Sequence, residues 1–587
     1  MVFGQTINDY YKKYWPYFLT GVLFLIIVDY AQLEIPVFFR VIIDGLNAGT
    51  IDREGIISNV WNITIAAAVI IGGRFLWRIS LLQAARKINY DMRNQLYQHH
   101  QALDVGYYNR SKSGELMALY TNDLEAIRRS VGFGLVLVVD AVFLGALVFY
   151  RMFSLSVSLT FVVLIPISIT GILGFVLSKM IRARFSERQK AFAELSDFVN
   201  ENMSGIQVVK SFVKESIEKI EFLKYNQLNK DKTIGFVRLA AVVEVLLRSL
   251  ITIIAIVIFG YGGFLLQSTA GTANPFTYGN LFEYVVYFNL LVWPIIALTQ
   301  VIQLGATAKA SLIRINAVLS EPIRVVDASD VSSKPILGGI TFNDVTFAYP
   351  DSDIPQLSNV SFTINPGETV GIVGRTGSGK STVVDLLLRL FNLEENKILL
   401  DGNDIMKLPI GDVRQAIGYV PQDGFLFSAT ITENIALGIE IDETTKAKAE
   451  EYAKLSSVYE NIAEFEQGFE TLIGERGVRL SGGQKQRLAI ARALIKEPTI
   501  LILDDSVSAV DTKTEEEILG NLRKLRQNKT TLIIAHRIST IKDADRIIVV
   551  DEGRVIAVGT HDELQASSAI YHDFVTRQQL ETELEAS

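Results

Sequence analysis

The sequence predicts a chain of two parts, six membrane-spanning α-helices followed by an α/β domain built on a phosphate-binding loop. Three observations carry this. Of the 587 residues, 49% are hydrophobic, and the excess is concentrated in the first 310. Six stretches there reach the roughly 20 apolar residues that a bilayer core demands. Beyond residue 338 the pattern changes to short alternating strands, one of which runs directly into a glycine-rich loop.

The six spans are expected at about Pro16–Ile43, Gly55–Leu82, Val131–Tyr150, Met152–Ser178, Val242–Leu266 and Asn280–Ala308. The stretch from Tyr17 is too long for a signal peptide, contains Asp29 and Glu34, and has no clear small-residue cleavage site. Lys and Arg crowd residues 83–130 and 179–241, whereas Gln267–Tyr278 has no charge and Arg151 stands almost alone in its turn. The positive-inside rule then places both termini and both long connections in the cytoplasm of a multi-pass plasma-membrane protein. Those connections keep helical periodicity, so the spans should continue as long helices and turn back near Tyr108–Glu115 and Gly205–Phe212.

Ionisable residues inside the spans are costly, and so suggest function or interhelical pairing. They are Asp29, Glu34, Arg40, Arg74, Arg78, Asp140, Glu244, Arg248 and Glu283; Glu34 and Asp140 look deepest and best placed for a polar cavity. Tyr30, Phe38, Phe39, Tyr284, Tyr287, Phe288 and Trp293 either pack as interface anchors or line a pocket for large apolar cations. The absence of cysteine excludes disulfides, Cys-ligated zinc and a thiol nucleophile. A net charge of −8 without a long basic run gives no sign of nucleic-acid binding.

The membrane part is expected to span 1–320, a polar linker 321–338 and the α/β domain 339–587. Strands should occupy Ile340–Phe347, Ser358–Ile364 and the run from Val370. Gly374, Arg375, Thr376, Gly377, Ser378, Gly379, Lys380 and Ser381 follow. Glycines there let backbone N–H groups wrap phosphates, and the helix opening near Lys380 adds its dipole. Lys380 should reach the terminal phosphates of ATP, with Ser381 on Mg2+ and Thr382 continuing the cradle. Leu501-Ile502-Leu503-Asp504 reads as a buried strand ending in a magnesium-binding carboxylate. Ser481, Gly482, Gly483 and Gln484 precede an amphipathic helix and form a second anion cradle, which a nucleotide sandwiched between two chains would explain.

The phosphate loop, Gln422 in Val-Pro-Gln, Leu480-Ser-Gly-Gly-Gln484, the Leu-Ile-Leu-Asp strand, Ser508-Ala-Val-Asp511 and His536 occur in this order over essentially the whole chain. Their set resembles a half-transporter of the ABC exporter family. The resemblance implies that Tyr349 stacks on adenine, that Gln422 contacts magnesium and the attacking water, and that His536 contacts the γ-phosphate. It implies that Asp511 touches a partner chain, as does the turn Glu201–Phe212, and that Thr471–Gly477 meets the cytoplasmic turns. It also implies a translocase for hydrophobic or amphipathic substrates, working among membrane lipids.

One position departs from the pattern. Asp505 stands where most such ATPases have Glu, the presumed general base, and its side chain is one methylene short. A base must reach its water by a hydrogen bond, and small misplacements cost orders of magnitude in rate. With Ser481–Gln484 intact, this resembles the degenerate-site member of a bacterial heterodimeric multidrug exporter, whose partner supplies the better carboxylate. The retained His536 argues against full degeneracy. Other readings are a homodimeric lipid or peptide exporter, or a regulatory, channel-like subunit that binds ATP without pumping. No peptidase-like extension precedes the first span, which disfavours a protease-coupled peptide exporter.

Overall fold

A computed structural model describes residues 4–474, 480–508 and 510–586. It divides into two compact units, 1–97 with 117–319, and 98–116 with 320–587.

Among the described residues, six helices are long and apolar enough to cross a membrane, over Trp15–Ala48, Arg53–Ala102, Ser113–Leu155, Val157–Ser204, Glu215–Ser268 and Tyr278–Leu319, and they make up most of the first unit. Local chemistry sets their ends. Pro16 sits in the first turn of the first span, where a missing N–H costs nothing. Gly49 closes that helix with φ of 65°, a conformation glycine adopts without a Cβ clash. Ser156 caps the fourth span by accepting a hydrogen bond from the Leu159 N–H at 3.3 Å.

This cap corrects one expected boundary. The third span does not turn at Arg151 but runs on to Leu155, and Arg151 lies within helix Gly145–Leu155. Sequence reasoning took the charge for a loop residue. Its guanidinium instead pairs with Glu34 of the first span. A neutralised ion pair can lie inside the unit, so charge alone does not mark the turn.

The third span is interrupted by π-helical turns at Leu119–Asp123, Ser130–Gly134 and Asp140–Leu144. Such turns re-aim side chains within a helix and are frequent at functional sites. The fourth and fifth spans pack along their long helical extensions through Phe198 stacked on Tyr225 at 5.0 Å, Phe185 edge-on to Phe236, and Lys232 paired with Glu187 at 3.1 Å. Their connection contains the short helix Ile206–Ser211, close to the predicted turn.

The second unit comprises the nucleotide domain and the turn between the second and third spans. Helix Val105–Arg110 is capped by Asp104, which accepts from the Tyr107 N–H. Arg110 donates to Asp351 at 3.0 Å and to Glu321 at 3.4 Å. A Cβ on Gly106 would lie 3.3 Å from the Phe391 ring, so the turn sits close on that ring.

Among the described residues, ten strands form two sheets. β1 (Ile340–Phe347), β2 (Leu357–Ile364), β4 (Ile398–Leu400) and β5 (Asn403–Asp404) make an antiparallel sheet in the order 2-1-4-5. β3 (Thr369–Val373), β6 (Ile417–Val420), β7 (Ile500–Asp504), β8 (Thr530–Ile534), β9 (Arg546–Asp551) and β10 (Arg554–Gly559) make a second sheet in the order 10-9-3-8-7-6. Its central strands are parallel, with β10 antiparallel at one edge. β7 and β8 are buried along their whole length, which fits the apolar runs Ile500–Leu503 and Leu532–Ile534 within them. The phosphate loop follows the C-terminal end of β3, and Asp504 ends β7 two strands away, where ligands of open parallel sheets bind.

Candidate nucleotide-binding site

The loop between β3 and helix Lys380–Leu387 is shaped by its glycines. Gly377 and Gly379 have φ of 81° and 98°. A Cβ on Gly379 would lie 2.7 Å from the Gln356 carbonyl oxygen, and one on Gly374 would lie 2.0 Å from that of Val550. No other residue fits these two places without moving backbone. The Lys380 ammonium donates to the carbonyls of Gly374 and Arg375 at 2.9 and 2.8 Å, across the mouth of the loop. Burial holds it below its ordinary pKa, while Asp504 and Asp505 oppose that shift. Ser378 is buried, and its hydroxyl has no partner. These groups fit an anionic ligand: a confined cation, a left-handed backbone and a buried free hydroxyl.

Asp504 is buried at the end of β7. Burial raises its pKa, partly offset by a hydrogen bond from Ser381, and neighbouring Asp505 pushes it higher. Mg2+ keeps several waters and takes few protein ligands, completing its shell with phosphate oxygens. The adjoining Ser381 hydroxyl and Asp504 carboxylate match that requirement. Among the described residues there is no group of three or more His, Asp or Glu that could hold a metal without a nucleotide.

Gln422 lies beside Asp505, its side-chain amide donating to the Asp505 carboxylate at 3.4 Å. Asp505 has φ of 45°, with its N–H bonded to the Ile534 carbonyl at 2.8 Å and its own carbonyl accepting from the Ser508 hydroxyl at 2.9 Å. The left-handed region is several-fold enriched in Asp and Asn among non-glycine residues. Backbone geometry thus favours Asp here, a factor the motif comparison could not reveal. His536 lies two residues beyond the end of β8 with an exposed side chain, and its carbonyl accepts from Gln578.

Tyr349 is half-buried, edge-on to Phe347 and Phe391 at 5.2 Å each. Its hydroxyl donates to Asp385 at 2.8 Å and lies 3.1 Å from that of Thr382, and burial pushes its pKa up to about 12. The ring is therefore held at the phosphate-loop helix. Sequence reasoning missed this anchor, although Asp385 falls one helical turn beyond Ser381. Tyr419 also hydrogen-bonds Asp504, a contact foretold only by its place on the neighbouring strand.

Ser481 caps helix Gly482–Leu494 in a reciprocal box with Gln484: its hydroxyl accepts from the Gln484 N–H at 3.2 Å, and the Gln484 side chain accepts from the Ser481 N–H. Gly482 and Gly483 form the first turn, with free N–H groups characteristic of a helix start. This helix is strapped to the segment after Gln422. Gln486 donates to the Gln422 carbonyl at 3.3 Å, and Arg492 donates to the carbonyls of Phe425 and Asn434 at 2.8 Å. Asp511 caps Thr512–Leu525, accepting from the Thr514 N–H at 3.0 Å. Glu475, Arg476 and Gly477 of the predicted exporter segment, and Ala509, lie outside the described residues.

Six apolar helices joined to a P-loop α/β domain define a membrane-embedded ATP-binding protein. Residues 18–295 match the family model of the ABC transporter transmembrane region, and 357–508 the family model described as ABC transporter. The chain is 36% identical to the probable multidrug resistance ABC transporter ATP-binding/permease protein YheI of Bacillus subtilis, over 98% of both chains. It is 33% identical to the multidrug resistance-like ATP-binding protein MdlA of Escherichia coli, over 100% of this chain and 98% of that one. The solved structure of a bacterial Atm1-family ABC exporter with ATP bound superposes with a TM-score of 0.75 at 25% identity, covering 96% and 98% of the two chains. The chain belongs to the ABC transporter family and has the fused permease–ATPase form of its exporters.

Proposed function

We propose that the chain is one half of a heterodimeric exporter that uses ATP to move amphipathic compounds, drugs or lipids, out across the plasma membrane. In this reading both termini are cytoplasmic, and a second half-transporter completes the nucleotide sites. The observation that carries it is the pairing of Asp505 with an intact Ser481–Gln484 cradle. The names of the relatives support a multidrug substrate range.

The loop Gly374–Thr382 holds the phosphates of ATP, Lys380 turning from its carbonyls to the terminal phosphates. Tyr349 faces the adenine. Ser381, Asp504 and Gln422 hold Mg2+, which when bound neutralises charge on the phosphates. His536 bonds the terminal phosphate. Asp505, one methylene short and already held by Gln422, polarises water poorly, so this site mainly retains its nucleotide. The Ser481 hydroxyl and the first-turn N–H groups of Gly482 and Gly483 close over ATP bound to the partner, whose carboxylate drives hydrolysis.

Two exposed apolar surfaces support assembly with a second chain. Around Ile206–Ser211, the side chains of Ile206, Val208, Phe212 and Val213 are exposed. Beside Gln422, so are Phe425 and Phe427, which pack edge-on at 5.1 Å. Each would be covered by its counterpart from the partner. ATP then favours the closed dimer through its higher affinity for that state, and hydrolysis with product release resets it. Inside-out vesicles carrying the chain and its partner should accumulate a lipophilic dye only with ATP. Gating without accumulation would contradict the export reading.

A further inference from the structure

The first and second spans pack closely where both are apolar. A Cβ on Gly21 would strike the Leu81 side chain, and one on Gly73 would lie 2.5 Å from Val28. The apolar run of the second span gives out at Leu82. Beyond that point polar side chains join the two helices. Lys13 pairs with Asp91 at 2.6 Å, and the Tyr14 hydroxyl donates to the same carboxylate at 2.8 Å. The Lys87 ammonium donates to the Tyr17 hydroxyl at 2.6 Å and lies over the rings of Tyr17 and Tyr14, 4.2 and 5.9 Å from their centroids. The leading helix Gly4–Lys13 is fastened there by the buried Ile7 and by the Tyr10 hydroxyl, which donates to Gln95 at 3.0 Å.

These contacts leave a cavity of about 470 Å³, lined by Tyr14, Gln83, Arg86, Lys87, Tyr90 and Asp91. Its charge is unbalanced. Asp91 is already neutralised by Lys13, and Lys87 meets neutral phenols. Arg86 is exposed. Among the described residues, neither Arg86 nor Lys87 forms an ion pair. Two positive charges therefore face a cavity whose carboxylate is taken, a setting that favours an anion.

The surroundings say which kind of anion. With 100° per residue, Phe75, Ile79, Arg86 and Tyr90 fall within about 60° of one another around the second span, and Phe75, Ile79 and Tyr90 are exposed. Trp15, Leu19 and Leu23, spaced one helical turn apart on the first span, are exposed as well. The cavity thus continues into apolar surface toward the middle of the spans, and into polar surface away from it. A ligand matching both has a phosphate at one end and acyl chains at the other. The ring faces that suit a choline ammonium already carry the Lys87 ammonium, so a zwitterionic headgroup brings a cation to a place held by one.

We propose that this cavity is a binding site for the headgroup of an anionic phospholipid. Arg86 takes the phosphate through its planar fork and Lys87 through its point charge. Gln83 and the Tyr90 hydroxyl bond the polar part of the headgroup. The acyl chains run along the exposed apolar side chains of the two spans. The bound lipid supplies the negative charge that the protein lacks here and braces the leading helix against the second span.

Native mass spectrometry of the full chain in detergent, supplied with equal amounts of phosphatidylglycerol and phosphatidylcholine, tests this. The wild type should retain phosphatidylglycerol several-fold better. Arg86→Gln removes a side chain with no ion pair of its own and should erase that preference, leaving phosphatidylcholine retention unchanged. Arg182→Gln, at an exposed base beyond the apolar run of the fourth span, should keep it. Equal retention of the two lipids by the wild type, or an undiminished preference in Arg86→Gln, would overturn the proposal. So would equal losses in both variants, which would show attraction to surface charge alone. Displacement of the lipid by millimolar inorganic phosphate would assign the cavity to a free anion and likewise overturn it. The measurement involves neither ATP nor a partner chain, so its outcome is independent of the exporter reading.

Discussion

At the scale of single residues, the phosphate loop is constrained by geometry more tightly than its motif suggests. Gly379 combines a left-handed φ with a neighbouring carbonyl that a Cβ would strike. Gly379→Ala should cost about 1–3 kcal/mol of domain stability and abolish nucleotide binding, read by thermal unfolding with and without ATP. Asp504 gives a pH signature. Burial favours its neutral form, so as pH falls it protonates sooner than a solvated aspartate would. Magnesium-dependent nucleotide binding should therefore weaken already above the ordinary carboxylate range, and Asp504→Asn should remove that acid limb along with the magnesium dependence. Fluorescent-nucleotide titrations across pH would show it. The motif residues themselves were legible because each has a fixed spacing from a strand or helix end. The φ of Asp505, the tether of Tyr349 to Asp385 and the contact of Tyr419 with Asp504 were not, since they depend on which strands become neighbours.

At the scale of elements, the helix Gly482–Leu494 and the segment after Gln422 form a mechanical unit, joined by Gln486 and Arg492. A change at Gln422, which touches Asp505, is thereby carried to the Ser481 cradle. Arg492→Ala removes three charge-assisted hydrogen bonds, to the Phe425 carbonyl and to the Asn434 carbonyl and side-chain oxygen, and should destabilise the domain by about 1–3 kcal/mol. It should also impair transport more than ATP affinity, a split visible when binding and vesicle uptake are compared. The spans were readable from hydropathy and the turns between the long helical extensions from unbroken helical periodicity. The third span was misjudged where Arg151, which the sequence presents as an isolated charge, is neutralised by Glu34 from 117 residues away. A pair so distant in sequence leaves no local pattern. The π-turns, which all pack on the sixth span and of which the third also packs on the first, likewise leave no trace in a period of 3.6.

At the scale of the whole molecule, the chain couples an ATP-binding domain to six spans, yet both halves carry features that a single copy leaves incomplete. In the proposed assembly a second chain would complete the Ser481 cradle and cover the exposed turn around Val208 and Phe212 and the exposed Phe425 and Phe427. Because the cradle serves the partner's site in this account, Ser481→Ala should depress ATPase activity of the assembled complex more than Asp505→Ala does. The reverse order would place hydrolysis at Asp505. The most direct measurement is the ATPase rate of the purified chain alone and with its partner, each with Asp505 intact and as Asp505→Ala. The account predicts little turnover alone, restoration by the partner, and only a small effect of Asp505→Ala on the complex. Robust turnover by the chain alone that Asp505→Ala abolishes would contradict it.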